Sequence, residues 1–316
     1  MNNPTLNYGK LVRTSWDIVK KHPYLWILGI LAGSGGGGTG YNFSDYSNKN
    51  MSGSKSTTFN SVKHWFGEVA GASTDKWQQY ADTGIITTFV VIMLIVVILF
   101  MIIAVIFRGG LIRSVVNISK GIEGNFSKAW HLGLETWRPL FWLHIILLLV
   151  VMAAIMPIVV LIVLATISLT AKVIAIIGGV IWVILLLLFM LAIGLIFPFT
   201  ERILVLEQLS PIESVTHGID FFKKHWKEGL TIYALNIGLS CLYLIFIVLA
   251  ILALAVPIVL IYFVFHTISA PVGVVIVSLL ILAALILLVV VQGFFGAFTS
   301  TIYTGAYVAL NTHFKS

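Results

Sequence analysis

Three polar side chains stand out because they interrupt long apolar segments: His144, Asn236 and Gln292. Polar groups inside a membrane are costly, and they persist where they hydrogen-bond across helices or line a path for a solute. The three residues are therefore candidates for a polar pathway, and interhelical hydrogen bonding is the alternative. The same apolar segments contain no lysine, arginine or carboxylate, so the sequence does not predict a mechanism driven by protons or ions.

Two copies of a Lys-Lys-His group are the second candidate for chemistry. Lys20 and Lys21 precede one histidine, and Lys223 and Lys224 precede another. Basic residues beside an amphipathic helix bind anionic lipid headgroups more often than they form a phosphate site, so lipid is the predicted ligand. The sequence shows no pattern of catalytic, cofactor-binding or metal-ligating residues, and the glycine run at 35–38 lacks the lysine of a phosphate loop. The chain is therefore predicted not to be an enzyme and to need no cofactor.

A face of small residues near the end of the chain is the third feature. Gly293, Ala297, Thr301 and Gly305 recur every four positions. Small residues at this spacing let two helices approach closely in lipid, where van der Waals packing drives association. The face predicts a helix–helix contact, either within one molecule or between subunits of a homo-oligomer.

The composition determines what kind of scaffold must position these residues. Apolar residues make up 59% of the 316 positions and charged residues 10%, whereas soluble domains carry about 25% charged residues. We therefore predict an all-α integral membrane helical bundle.

A span needs about 20 apolar residues. About six segments qualify, the first of them short: 24–32, 85–107, 140–167, 173–197, 230–265 and 272–292. Breaks are predicted where three of these segments end, at Arg108, Pro198 and Gly293.

The distribution of positive charge predicts the topology. Fourteen of the 19 lysine and arginine residues fall on one side of a six-span arrangement. Cytoplasmic loops of membrane proteins carry such an excess, so both termini are predicted in the cytoplasm and the loop at 34–83 outside. The same rule accounts for the formal charge of +7, which gives no reason to expect nucleic acid as a partner. The predicted location is the cell membrane, with multiple spans.

An internal repeat divides the chain into three units, at 1–124, 125–209 and 210–316. The sequence Asp17-Ile-Val-Lys-Lys-His22 recurs as Asp220-Phe-Phe-Lys-Lys-His225, with a weaker copy at 135–138. Each copy ends a short amphipathic helix that leads into a helical hairpin. An apolar stripe with basic flanks is typical of a helix lying in the headgroup plane. In the third unit, Ser210-Pro-Ile-Glu213 predicts a capping box at the start of that helix.

The order of these elements resembles a group of prokaryotic membrane proteins similar to the membrane domain of glycerophosphoryl diester phosphodiesterases. The resemblance rests on an interfacial helix at 210–225, a long hairpin after it, and a Tyr-rich closing stretch at 301–310. It implies a six-span bundle and carries over no catalytic residue, because the phosphodiesterase domain itself is absent from this sequence.

Two functions remain open at this stage. The first is a transporter or channel-like conduit for a small or amphiphilic solute. The second is a membrane-organising or anchoring module that binds lipid or an unidentified membrane partner. A continuous polar cavity near Asn236 and Gln292 favours the conduit, whereas a solidly packed bundle with lipid around its interfacial helices favours the module.

Overall fold

The structure is a computed structural model that describes residues 6–32, 83–166, 169–268 and 270–311. These residues form helices and short connections and contain no strand, which confirms the all-α prediction for the described part of the chain. In chain order the helices are α1 (Tyr8–Lys21), α2 (Tyr24–Leu31), α3 (Thr83–Ser119), α4 (Phe126–Leu164), α5 (Leu169–Glu207), α6 (Pro211–Lys224), α7 (Trp226–Ile268) and α8 (Ala270–Leu310).

Five of the described helices, α3, α4, α5, α7 and α8, are long and apolar enough to cross a membrane. They contain 37–43 residues, which is about 56–65 Å of helix against about 30 Å of hydrocarbon. The chain is therefore a membrane protein whose long helices continue beyond the bilayer core. The predicted sixth span begins with α2, which has eight residues and reaches only about 12 Å. Since residues 33–82 lie outside the described part, that span stays a prediction.

The helices do not break where the sequence predicts. α3 runs through Arg108, α5 through Pro198 and α8 through Gly293 without interruption. This prediction was wrong because the residues at these points pack against other helices. A glycine costs a helix about 1 kcal/mol relative to alanine, and close contact with a neighbouring helix offsets that cost.

The tightly packed core lies toward one end of the long helices, within the compact unit that contains the described residues 6–32 and 103–311. Its largest fully buried side chains include Leu25, Leu111, Leu140, Phe199 and Tyr303. The other halves of these helices expose their apolar side chains, as Met156, Leu187 and Ile245 illustrate. Lipid tails solvate such side chains as well as protein does, so a spanning helix does not need to bury them against protein. Residues 83–102 of α3 belong to a second unit and are likewise apolar.

Two short amphipathic helices, α1 and α6, belong to the compact unit. α6 begins with the predicted capping box: Ser210 Oγ accepts from the Glu213 amide, and the Glu213 carboxylate accepts from the Ser210 amide. These hydrogen bonds hold the pKa of Glu213 below its usual value. The amphipathic stretch predicted in the second unit is not a separate helix. It forms the first turns of α4, which Asn125 caps at Lys128 N.

Candidate functional site

A cluster of charged side chains is buried where α3, α4 and α5 meet. Arg108 on α3 and Arg202 on α5 are 7% and 3% exposed, and Glu201 between them is fully buried. Arg108 Nη1 lies 2.8 Å from Glu201 Oε1, and Arg202 Nη1 lies 3.0 Å from Glu201 Oε2. Each carboxylate oxygen therefore has its own guanidinium partner, an arrangement in which a buried ion pair is well satisfied.

His144 on α4 completes this cluster. Its Nδ1 lies 2.8 Å from the Leu140 carbonyl oxygen and its Nε2 lies 2.6 Å from Arg108 Nη1. The same Nε2 lies 3.3 Å from Glu201 Oε1, so the ring contacts both Arg108 and Glu201.

The remaining contacts of the two arginines reach further helices. Arg108 Nη2 donates to the Ala32 carbonyl, 3.3 Å away at the end of α2. Arg202 donates to the Pro198 carbonyl and, over 3.2 Å, to Ser300 Oγ on α8. The carboxyl end of a helix carries a partial negative charge, so the end of α2 favours a guanidinium beside it. The cluster thus joins five helices, α2, α3, α4, α5 and α8, at one point.

The sequence pattern identified His144 as a candidate but did not predict this cluster. Arg108 directly follows one apolar segment, and Glu201 and Arg202 follow another by a few positions. Charges at those positions look like ordinary residues at a membrane boundary. The available signal for the cluster was that two arginines and one carboxylate lie at the carboxyl ends of two apolar segments. Nothing in the sequence, however, shows that these two segments are neighbours in the fold.

The other two pathway candidates lie on different helices. Asn236 on α7 is 1% exposed, and Gln292 on α8 is half-buried. Each of the two residues has an interaction partner within the protein. Of the three candidates, His144 is the one that the structure places against Arg108 and Glu201.

The small-residue face of α8 meets two different surroundings. At Gly293 and Ala297 it packs against α2, so closely that a methyl group on Gly29 would lie under 3.0 Å from the Gly293 carbonyl oxygen and the Ala297 amide. Thr301 and Gly305, further along, line a cavity between α1, the end of α3 and the end of α8. Gly305 also lies close to the Leu11 side chain of α1, so within the described residues the face packs against helices of the same molecule and borders a cavity at one end.

Two of the cavities beside the amphipathic helices have mostly apolar walls and reach into the bundle. The first, between α1, α3 and α8, has a volume of 350 Å³. The second, with a volume of 250 Å³, lies between α4, α5 and α6. The four lysines predicted to bind lipid are exposed in the last turns of α1 and α6, as Lys20, Lys21, Lys223 and Lys224. Lys223 lies 3.7 Å from Asp220 in an exposed pair.

Comparison with known proteins gives a family and no function. No curated protein and no solved structure matches the chain. The model of a family of unknown function, DUF7544, matches residues 22–309. Because this match covers most of the 316 residues, the chain belongs to the family DUF7544.

Proposed function

We propose that the protein is a non-enzymatic membrane module that binds anionic lipid at its amphipathic helices. The observation that carries this proposal is that the polar groups of the bundle are buried, whereas the accessible cavities are apolar. Glu201, Arg202 and Asn236 are almost completely buried, whereas the cavities beside α1 and α6 have apolar walls. A carrier of a polar solute needs accessible polar groups along its path. A lipid needs an apolar surface for its tail and positive charge for its headgroup.

A carrier of an amphiphilic solute is the second candidate, and one observation favours it. The cavity of 250 Å³ extends along α4 and α5 from Val150 and Phe189 to Thr200, where α6 covers it with Val215 and Ile219. An apolar tail lying in this cavity would reach the part of the core that contains the charged cluster. Transport would then require α6 to move relative to α4 and α5.

The fold that we propose for this module has six spans in three repeated units. The resemblance to the phosphodiesterase membrane domain implies the six spans, and the repeated sequence motif implies the three units. Its support is a recurring contact. Each unit begins with an amphipathic stretch of helix that buries a small residue two positions before an acidic one: Ser15, Gly133 and Gly218. The Gly133 backbone packs on Ile106 of α3, Gly218 packs on Thr200 of α5, and α1 packs on α8. Each unit would therefore begin against the closing helix of another unit, and the three would form a ring.

Lipid binding is testable by removing the four lysines. We expect the simultaneous change of Lys20, Lys21, Lys223 and Lys224 to glutamine to reduce the anionic lipid that is retained by the purified protein. A basic residue near a charged lipid surface contributes about 1 kcal/mol. The measurement is native mass spectrometry of the protein released from detergent, with anionic and zwitterionic lipids compared in the same spectra.

The matched control removes the same amount of charge elsewhere. Lys120, Lys128, Lys172 and Lys227 are also exposed, and changing them to glutamine alters the net charge equally. We expect this variant to keep its anionic lipid. If both variants lose the same amount of anionic lipid, net charge alone attracts the lipid. If the variant at Lys20, Lys21, Lys223 and Lys224 keeps its anionic lipid, these lysines only set the topology.

The proposed orientation, with both termini in the cytoplasm, is testable by chemical labelling. The natural cysteine, Cys241, is first replaced by serine, and single cysteines are then placed at Ser52 and at Lys120. A membrane-impermeant thiol reagent applied to intact cells should label the cysteine at position 52 and leave position 120 unlabelled until the cells are opened. The reverse pattern would overturn the orientation.

A further inference from the structure

We infer that the 350 Å³ cavity between α1, α3 and α8 is a binding site for a single acyl chain with an anionic head group. The inference rests on the proposed function and gives it a place and a ligand class. Binding sites for small ligands usually measure about 300–1,000 Å³, so the volume is sufficient for such a ligand. Its shape, the chemistry of its floor and the charge at its rim each point to the same ligand.

The cavity is long, because it follows three helices. Its lining begins at Leu6 and reaches Ile18 along α1, and it runs from Thr301 to Ala309 along α8. These stretches measure about 18 Å and about 12 Å at the rise of an α-helix. An elongated space of this kind suits an extended alkyl chain better than a compact solute.

The floor of the cavity is apolar even where its residues carry hydroxyl groups. Val115 and Val116 on α3 are buried there, beside Thr301 and Thr304 on α8. The Thr301 hydroxyl donates to the Ala297 carbonyl at 2.7 Å, and the Thr304 hydroxyl donates to the Ser300 carbonyl at 2.8 Å. Because both hydroxyl protons are donated within α8, they are not available to a polar solute. The floor instead presents an apolar surface on which methylene groups can be buried.

The rim of the cavity is positively charged. Lys10, which is exposed, lines it in the first turn of α1, together with the capping residue Asn7 and with Thr14 in the middle of the helix. The first turn of α1 has no acidic residue, and the amino end of a helix carries a partial positive charge of its own. A carboxylate or phosphate at this rim would therefore meet positive charge, while its chain lies over Val115 and Val116.

Photolabelling can locate such a chain. The probe is a fatty acid of palmitic length with a diazirine in the chain, and the corresponding fatty alcohol is the neutral comparison. After irradiation of the purified full-length protein, labelled peptides are identified by mass spectrometry. We expect the fatty acid to label residues 6–18 and 301–309 more strongly than it labels the exposed apolar segments of α4 and α5.

Two variants separate the tail from the head group. Ala309→Phe places a ring in the cavity at a half-buried position, so it should abolish labelling there by both probes, whereas Ala153→Phe on an exposed part of α4 should not. Lys10→Gln should reduce labelling by the acid about fivefold and leave the alcohol unchanged. A melting curve for each variant shows that it is folded.

The outcomes distinguish this inference from the proposed function. Labelling that spreads evenly over the exposed apolar helices, or that persists in Ala309→Phe, overturns the cavity as a site. If the variant with glutamine at Lys20, Lys21, Lys223 and Lys224 still loses anionic lipid in that case, the proposed function stands without this site. If the cavity is labelled as expected and that variant keeps its lipid, the cavity is the lipid site and the four lysines are not.

Discussion

Replacing Glu201 with glutamine should lower the free energy of unfolding by about 3–5 kcal/mol, which is the usual cost of removing one partner from a buried ion pair. The Glu201 side chain is fully buried and accepts from both Arg108 and Arg202. Glutamine has nearly the same shape but no charge, so two guanidinium groups would stay in the core without a carboxylate. The ion pair that joins α3 to α5 would be lost.

The measurement is the thermal unfolding of the purified protein, followed by tryptophan fluorescence. Glu135→Gln is the matched control, because Glu135 pairs with Arg113 at the surface and its side chain is 63% exposed. Exposed ion pairs contribute about 0–1 kcal/mol, so this control should melt close to the unaltered protein. Equal melting temperatures for Glu201→Gln and the unaltered protein would show that the cluster does not hold the bundle together.

The second large effect is expected at the contact between α2 and α8. Gly29→Ala adds one methyl group, and that group would lie under 3.0 Å from the Gly293 carbonyl oxygen and the Ala297 amide. These are backbone atoms, so no change of side-chain rotamer can relieve the overlap, and the two helices must separate. We expect a loss of about 1–3 kcal/mol or more, as for other overpacked cores.

Gly238→Ala is the control for this substitution. Gly238 lies within α7, and a methyl group there would meet no atom within 4 Å. Alanine is favoured over glycine in a helix by about 0.5–1 kcal/mol, so the control should be as stable as the unaltered protein or slightly more so. The measurement is the melting temperature of both variants, and we expect it to fall for Gly29→Ala alone. If Gly29→Ala and Gly238→Ala have the same melting temperature, α2 and α8 do not pack closely enough at Gly29 for a methyl group to separate them.

The same contact can be approached from α8 with a larger side chain. Ala297 is fully buried, and Val289, two turns away on the same helix, is 44% exposed. Leucine at Ala297 should therefore lower the melting temperature, and leucine at Val289 should not. The pair also tests oligomer formation, because size-exclusion chromatography would reveal any change in subunit number that accompanies the loss of stability.

The amino-acid sequence by itself determined the class of this protein and part of its local structure. An apolar fraction of 59% excludes a water-soluble fold, and long apolar segments without charge predict helices that cross a membrane. The capping box at Ser210 was predicted correctly because all of its atoms belong to four consecutive residues. Signals of this kind are readable because they depend on neighbours in the chain.

Only the tertiary structure decided what the polar and small residues contact. Arg108 and Glu201 are 93 positions apart, and each looks like a boundary charge until α3 and α5 are placed side by side. The small residues of α8 share one spacing, yet Gly293 packs against α2, whereas Gly305 lies close to Leu11 of α1 and lines a cavity. Spacing within a helix shows which residues share a face. What covers that face depends on the packing of distant segments, and in lipid many arrangements of apolar helices satisfy the same hydrophobic pattern.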